Sequence, residues 1–283
     1  MTTARTAPSP SPLGTTAPAP AVSARTGRRR TSILRGLAGV AALIATLEVL
    51  SRLNLVNPAF LPPFSEVAAR LFGALAEPQL WLHVASTLAA WLIGMLVSAV
   101  VAVPLGIVLG LSEVGYQVSR SIVEFARTMP AIALIPLVLL VIGPGLEMKV
   151  VVAVYAAVWP ILFNTIYGVH DVDPSTRDMA RIFGQTRFQI IRRIVLPSAA
   201  PLIATGIRIS SAIVLIVVIT VELVAGGADG VGAFIASNRA QGNQVALVYA
   251  GILLTGILGL VINLALGALE RRLFGWSTQE NGK

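Results

Sequence analysis

Few residues in this chain could do chemistry, and their types decide what kind. Nucleotide hydrolysis at a P-loop needs Gly-x4-Gly-Lys followed by Ser or Thr, so that the lysine reaches the phosphates from a glycine-rich cradle. Neither of the two lysines, Lys149 and Lys283, stands in such a run, and Gly143-Pro144-Gly145 reads as an external turn. The chain has no cysteine, which removes disulfides, thiolate nucleophiles and Cys-ligated metals. His83 and His170 are its only imidazoles, too few for a histidine-rich metal centre. We therefore expect no catalytic residue, no metal and no cofactor. What remains is polar groups set inside apolar sequence, where they are costly and mark either function or a bond between helices. Asn164, Thr165 and Arg208 are the candidates for lining a solute pathway. Arg208 lies about 13 Å into its apolar run and is read as pairing with Glu124. Glu222 lies about 33 Å along the same run, which predicts a wetted position at the outer interface. Glu48 similarly nears the outer end of the first run.

The elements that must position these residues are membrane spans. At 283 residues, 55% hydrophobic and 12% charged, with a mean hydropathy of +0.82, the chain is too apolar for a soluble domain. Its apolar residues come in long runs, as contact with lipid requires. The net charge of +8 raises the question of nucleic acid. The basic residues, however, sit in short patches between apolar runs with few aromatics interleaved, which is the layout of the positive-inside rule. Lipid, and no nucleic acid, is the expected partner. Spans are expected at 36–53, 86–111, 122–142, 150–168, 199–224 and 246–269, each near the roughly 20 residues that cross the hydrocarbon. The first run is long for a signal peptide and lacks a clear cleavage site, so it reads as an uncleaved span. Residues 65–76 form a short interfacial helix with Val67, Leu71 and Leu75 on one face. Pro130 and Pro136 interrupt the third span and Pro160 the fourth.

Six spans put both termini on one side. With that side cytoplasmic, the outer segments carry only Arg52, Arg70, Lys149 and Arg239, and nearly all other basic residues lie inside. This predicts a multi-pass plasma-membrane protein. It divides into a disordered cytoplasmic tail (1–31), a first span with an external linker (32–60), a core (61–273) and a second tail (274–283). Two spans carry small or polar residues at every fourth position: Ala90, Gly94, Ser98, Ala102, Gly106 and Gly110 in one, and Gly251, Thr255, Gly259, Asn263 and Gly267 in the other. Such ridges let backbones approach closely, and packing inside one bundle is the expected use.

The longest cytoplasmic loop, 171–198, is patterned as two short helices. Asp173 before Pro174 reads as an N-cap with proline at the first helical position. Met179, Ile182 and Phe183 make one apolar face, beside Arg177, Asp178 and Arg181. Gly184 suits a left-handed stop. Thr186 caps a second helix with Phe188, Ile191 and Val195 on its apolar face, and Pro197 is expected to end it. Helices this short need a surface to lie against.

The run Asp178-Met179-Ala180, three residues, Gly184, nine residues, then Ile194-Val195-Leu196-Pro197 resembles the EAA loop of ABC-importer permeases, written E-A-A-x3-G-x9-I-x-L-P. Asp178 departs from Glu and Met179 from Ala. Residues 34–275 are further similar to the nitrate, sulfonate and taurine branch. The similarity is carried by Leu61-Pro62-Pro63-Phe64-Ser65-Glu66-Val67, Arg127-Thr128-Met129-Pro130 with Pro136-Leu137, Val221-Glu222-Leu223-Val224 and Gly251-Ile252-Leu253-Leu254. The resemblance implies an all-α, polytopic permease with a MetI-like core and no enzymatic activity of its own. It implies a homodimer, two separate ATPase subunits and an external substrate-binding protein. It makes Asp178, Met179, Ala180, Ile182, Phe183, Gly184, Ile194, Leu196 and Pro197 the residues that couple to the ATPase. It leaves nitrate, sulfonates, taurine and small heterocyclic vitamin precursors as cargo, with a small anion expected. An ion-coupled carrier or a membrane-embedded enzyme is the alternative. The first needs inverted repeats and the second a nucleophile–base pair or metal cluster at membrane depth, and the sequence shows none of these.

Overall fold

A computed structural model of the chain describes residues 25–57, 60–225, 229–242 and 244–274. Most of the expected N-terminal tail, residues 1–24, and nearly all of the C-terminal one lie outside the described residues. Among those described there is no strand. The helices are α1 (Arg25–Arg52), α2 (Phe64–Leu75), α3 (Pro78–Gly110), α4 (Glu113–Thr128), α5 (Ile135–Ile142), α6 (Leu146–His170), α7 (Pro174–Ile182), α8 (Arg187–Ile190), α9 (Leu196–Ala225), α10 (Val231–Ala240) and α11 (Val245–Phe274). Residues 25–31, read above as tail, are thus the opening turns of α1.

Among the described residues four stretches are long and apolar enough to cross a membrane: α3, α6, Arg187–Ala225 and Val245–Leu273. The expected third span is a bent pair, α4 and α5, which meet at 68°. Its break has a local cause. Met129 precedes Pro130, is pushed out of the helical region and sits at φ −71°, ψ 120°. A short 3₁₀ turn, Ala131–Leu134, then restarts the chain into α5. By contrast Pro104 and Pro160 lie within α3 and α6 without ending them. α1 is not among the four. It carries Glu48 and Arg52 in its last turns, where they form an ion pair of 2.6 Å, and its main packing partner is α2.

The bundle is built on α3, α6 and α9, with α6 in the middle. The small-residue row of α3 is buried along its whole length. A Cβ on Gly94 would stand 2.6 Å from that of Ala153, and one on Gly106 2.6 Å from that of Thr165. This row is therefore spent inside one bundle, as expected. The row on α11 is used differently: Gly251 packs on Ile235 of α10, while Thr255, Gly259 and Asn263 border an open groove toward α9.

Candidate functional site

The two ends of the bundle are built in opposite ways. At one end lies the hairpin of α7 and α8. The Asp173 carboxylate accepts from the Ser175 backbone N–H at 2.9 Å and opens α7. Those Ser175 hydrogen bonds, side-chain and backbone, hold the Asp173 carboxyl below the usual range. Gly184 turns the corner at φ +74°, with nothing near where a Cβ would sit, so its role there is conformational freedom and not space. Thr186 and Gln189 form a reciprocal capping box that starts α8. The chain then widens into a π turn, Ile191–Val195, and runs on into α9.

Pro197 therefore does not end the second helix. It has no N–H to return to the preceding turn, and the widened turn just before it lets the helix continue. Underneath, Ala180, Ile190, Val195 and Ala199 pack with Val169, Val172 and Ile203. Above, Met179, Ile182, Phe183 and Phe188 stand bare, with Ile182 84% and Phe183 78% exposed. Asp178 is exposed as well and pairs with Arg181 at 2.8 Å. Of the expected coupling residues, Asp178, Met179, Ile182, Phe183 and Gly184 are on the open side. Ala180 is buried, Ile194 is half-buried against the cluster beneath, and Leu196 and Pro197 belong to the first turn of α9.

At the far end, Lys149 of α6 and Glu222 of α9 form an ion pair of 2.9 Å, 1% and 0% exposed as residues. The expectation that Glu222 is solvated was wrong, because it counted depth along α9 and could not see which face the side chain occupies. Every donor of Lys149 is used: Nζ reaches Glu222, Ser86 at 3.0 Å and the Asp229 carbonyl. Glu222 also accepts from the Thr87 hydroxyl at 2.9 Å and from the Gly232 N–H at 3.0 Å. Thr87 in turn accepts from the Val231 N–H at 2.9 Å, and His83 Nδ1 from the Gly230 N–H at 3.1 Å. Four consecutive backbone units, 229–232, are thus held by side chains of α3, α6 and α9. Gly230, at φ +149°, could not carry a Cβ without overlapping the Glu222 carboxylate. Such saturation is what a buried ion pair needs, since an unmet charge here would go uncompensated. An acid and a base each near one end of an apolar run, followed by glycines, was the available sequence signal.

The three pathway candidates face three directions. Thr165 is buried against Gly106 of α3 and donates to the Ile161 carbonyl at 2.7 Å. Asn164 donates to the Pro160 carbonyl at 2.8 Å, its Cβ turned toward Gly206 of α9. Arg208 does not meet Glu124. Its Nε donates to Asn263 at 3.0 Å and its guanidinium lies 3.4 Å from Glu270, both on α11. The reason is topological: α4 packs on α3 and α6, whereas this face of α9 looks toward α11. The groove there, about 520 Å³, is lined by Arg208, Ser211, Leu215, Thr255, Gly259 and Asn263. Among the described residues no three His, Cys, Asp or Glu side chains gather as a metal site.

Residues 102–275 match the family described as the binding-protein-dependent transport system inner membrane component. The chain belongs to that family. This permease is 30% identical to the taurine transport system permease protein of Escherichia coli K12, over 84% of its own length and 87% of the relative's. It is 29% identical to a putative aliphatic sulfonates transport permease of Bacillus subtilis 168, over 93% and 95%. A nitrate import permease of Leptolyngbya laminosa follows at 27% over 71% of each chain. For the fold, the permease superposes on an inward-facing MetNI methionine ABC transporter with a TM-score of 0.61 at 23% identity, covering 70% of this chain and 99% of that one. It is an importer permease of the taurine, sulfonate and nitrate type, an inner-membrane multi-pass protein and not an enzyme.

Proposed function

We propose that this permease forms half of the solute pathway of an ATP-driven importer for a small anion such as taurine, another sulfonate or nitrate. A second identical copy completes the pathway, two ATPase subunits seat on the hairpins, and an external binding protein delivers the cargo. The observation that carries the reading is the bare apolar top of a hairpin whose underside is fully packed. Burying one such side chain is worth about 1.5–3 kcal/mol, so four left exposed on one short element beyond the spans mark a surface for a partner to cover. The coupling residues are Asp178, Met179, Ala180, Ile182, Phe183, Gly184, Ile194, Leu196 and Pro197. The hairpin end, both termini and the tails are cytoplasmic, with the Lys149–Glu222 end outside, and α1 is a sixth span lying beside the 61–273 core. ATP binding closes the ATPase pair, the seated hairpins move, and a loaded binding protein favours the outward state by differential affinity. The relatives' cargoes support an anion; Arg208, Asn164 and Thr165 are proposed to border its route.

Replacing Ile182 and Phe183 together by Asp tests the reading. The variant is expected to reach the membrane with wild-type thermal stability, yet to lose at least 100-fold in co-purified ATPase and all uptake. Full uptake by this variant, or by the permease reconstituted without ATPase, would overturn it. Arg208→Gln is expected to slow anion uptake at least tenfold with ATPase assembly intact.

A further inference from the structure

The end that carries the buried ion pair also carries a crevice, and one residue belongs to both. Between α2, the start of α3, α10 and the start of α11 lies a space of about 550 Å³, lined chiefly by polar side chains, among them Arg70, Glu77, Gln79, His83, Asn238 and Gln241. Its size is that of a small-molecule site. Arg70 stands at its edge exposed, and neither Arg70 nor Glu77 is in an ion pair among the described residues. His83 accepts the Gly230 N–H on Nδ1. In the neutral ring that leaves the proton on Nε2, as a donor with no acceptor among the described residues. The lining thus offers a guanidinium fork, an imidazole N–H and the amides of Gln79 and Gln241, against a single carboxylate. Such a set of donors matches an oxyanion. Glu77 keeps the lining neutral overall, so that an anion is held weakly enough to leave again, which transit demands.

We propose that this crevice is an outer reception site for the free substrate oxyanion, bound by Arg70 and the Nε2–H of His83, and that His83 reports its occupancy to the 229–232 segment. The proposal rests on the anion-importer reading above and on its assignment of this end to the outside. The relay is electrostatic. An anion accepting from Nε2–H makes Nδ1 a better acceptor, as second-shell carboxylates do for metal-bound histidines, and so tightens its hold on Gly230. Gly230 in turn sits against Glu222, which joins α3, α6 and α9.

The experiment uses the whole transporter in nanodiscs, without the binding protein, and taurine, ethanesulfonate and nitrate as probes. Saturation-transfer NMR reads binding, and hydrogen exchange reads peptides covering 229–234. Wild type is expected to bind at least one probe and to slow exchange at 229–234 severalfold. Arg70→Gln should weaken that binding at least fivefold and leave exchange without anion unchanged. His83→Phe should lose both binding and protection, and His83→Gln, which keeps an acceptor and a donor, should recover part of each. Equal probe binding by wild type, R70Q and H83F overturns the proposal. So does an R70Q defect confined to association with the binding protein, which would make the crevice a protein-docking surface. Uptake into proteoliposomes, with the external binding protein present, separates the two readings. If wild type imports an anion and R70Q and H83F do so with unchanged concentration dependence, the crevice fails and the permease stands. If wild type imports none of the three, the anion assignment itself fails.

Discussion

The hairpin end and the ion-pair end of this permease solve opposite problems with the same kind of short connection. At the hairpin, caps and a glycine corner are satisfied locally, one face is packed, and large apolar side chains are left in the open. At the far end most of the hold is not local: the 229–232 backbone is held by residues of α3 and α6, far off in sequence, together with Glu222 of the preceding α9, and the charges that do so are sealed. A surface built to be covered by a partner keeps its stability separate from its contacts. A joint built to hold helices together makes the two the same thing.

The largest expected effect tests that joint. Glu222→Gln leaves the Lys149 ammonium buried without its counter-charge, and a loss of about 3–5 kcal/mol is expected. The readout is thermal unfolding of the purified permease, with poor membrane yield alongside. The double variant Lys149→Met with Glu222→Leu should recover most of that loss, because replacing a buried pair by apolar groups of similar size is close to neutral. If the single variant unfolds like wild type, the far end is not the rigid one. The next contrast makes one substitution at both ends. Gly230→Ala forces a methyl into the Glu222 carboxylate and should cost several kcal/mol, on the order of a lost buried network. Gly184→Ala meets open space and bears only the left-handed backbone penalty, about 1 kcal/mol. Similar losses at the two sites would erase the distinction.

The smallest effect concerns pH at the hairpin. The Asp173 carboxyl is held below its unfolded value by the Ser175 hydrogen bonds, so its contribution to α7 is present above the unfolded pKa and is lost as pH falls through the folded one. Hydrogen exchange in α7 should therefore quicken only in acid below the ordinary aspartate range, and Asp173→Ala should remove that dependence. Thr186→Ala, which breaks the capping box, should fray α8 by about 1 kcal/mol at any pH.

This contrast also explains what could be read from sequence. The hairpin was legible because its signals are local: Asp173 before Pro174, Gly184, and Thr186 ahead of the second helix each act within one turn. The α3 row was legible because a four-residue repeat fixes a helix face without naming the neighbour. Glu222 and Arg208 were misread because position along a span gives depth and not direction. Their partners lie 73 residues away at Lys149 and 55 away at Asn263. Pro197 was misread because a proline reports a missing donor, and a neighbouring π turn can accommodate it. α3 begins at Pro78, ahead of the apolar run expected from 86, since the polar Gln79 and His83 hid its first turns.

The stretch Arg187–Ala225 is 39 residues of helix whose pitch changes at the π turn alone. It is one continuous helix, about 58 Å along its axis, that carries Pro197 and Pro201 just past that turn. Phe188 stands at one tip and Glu222 near the other, so a push on the bare tip passes along one continuous helix, through the π turn and its two following prolines, to the sealed one. Whatever grips the hairpin therefore turns a shaft that is already keyed to the opposite side of the membrane.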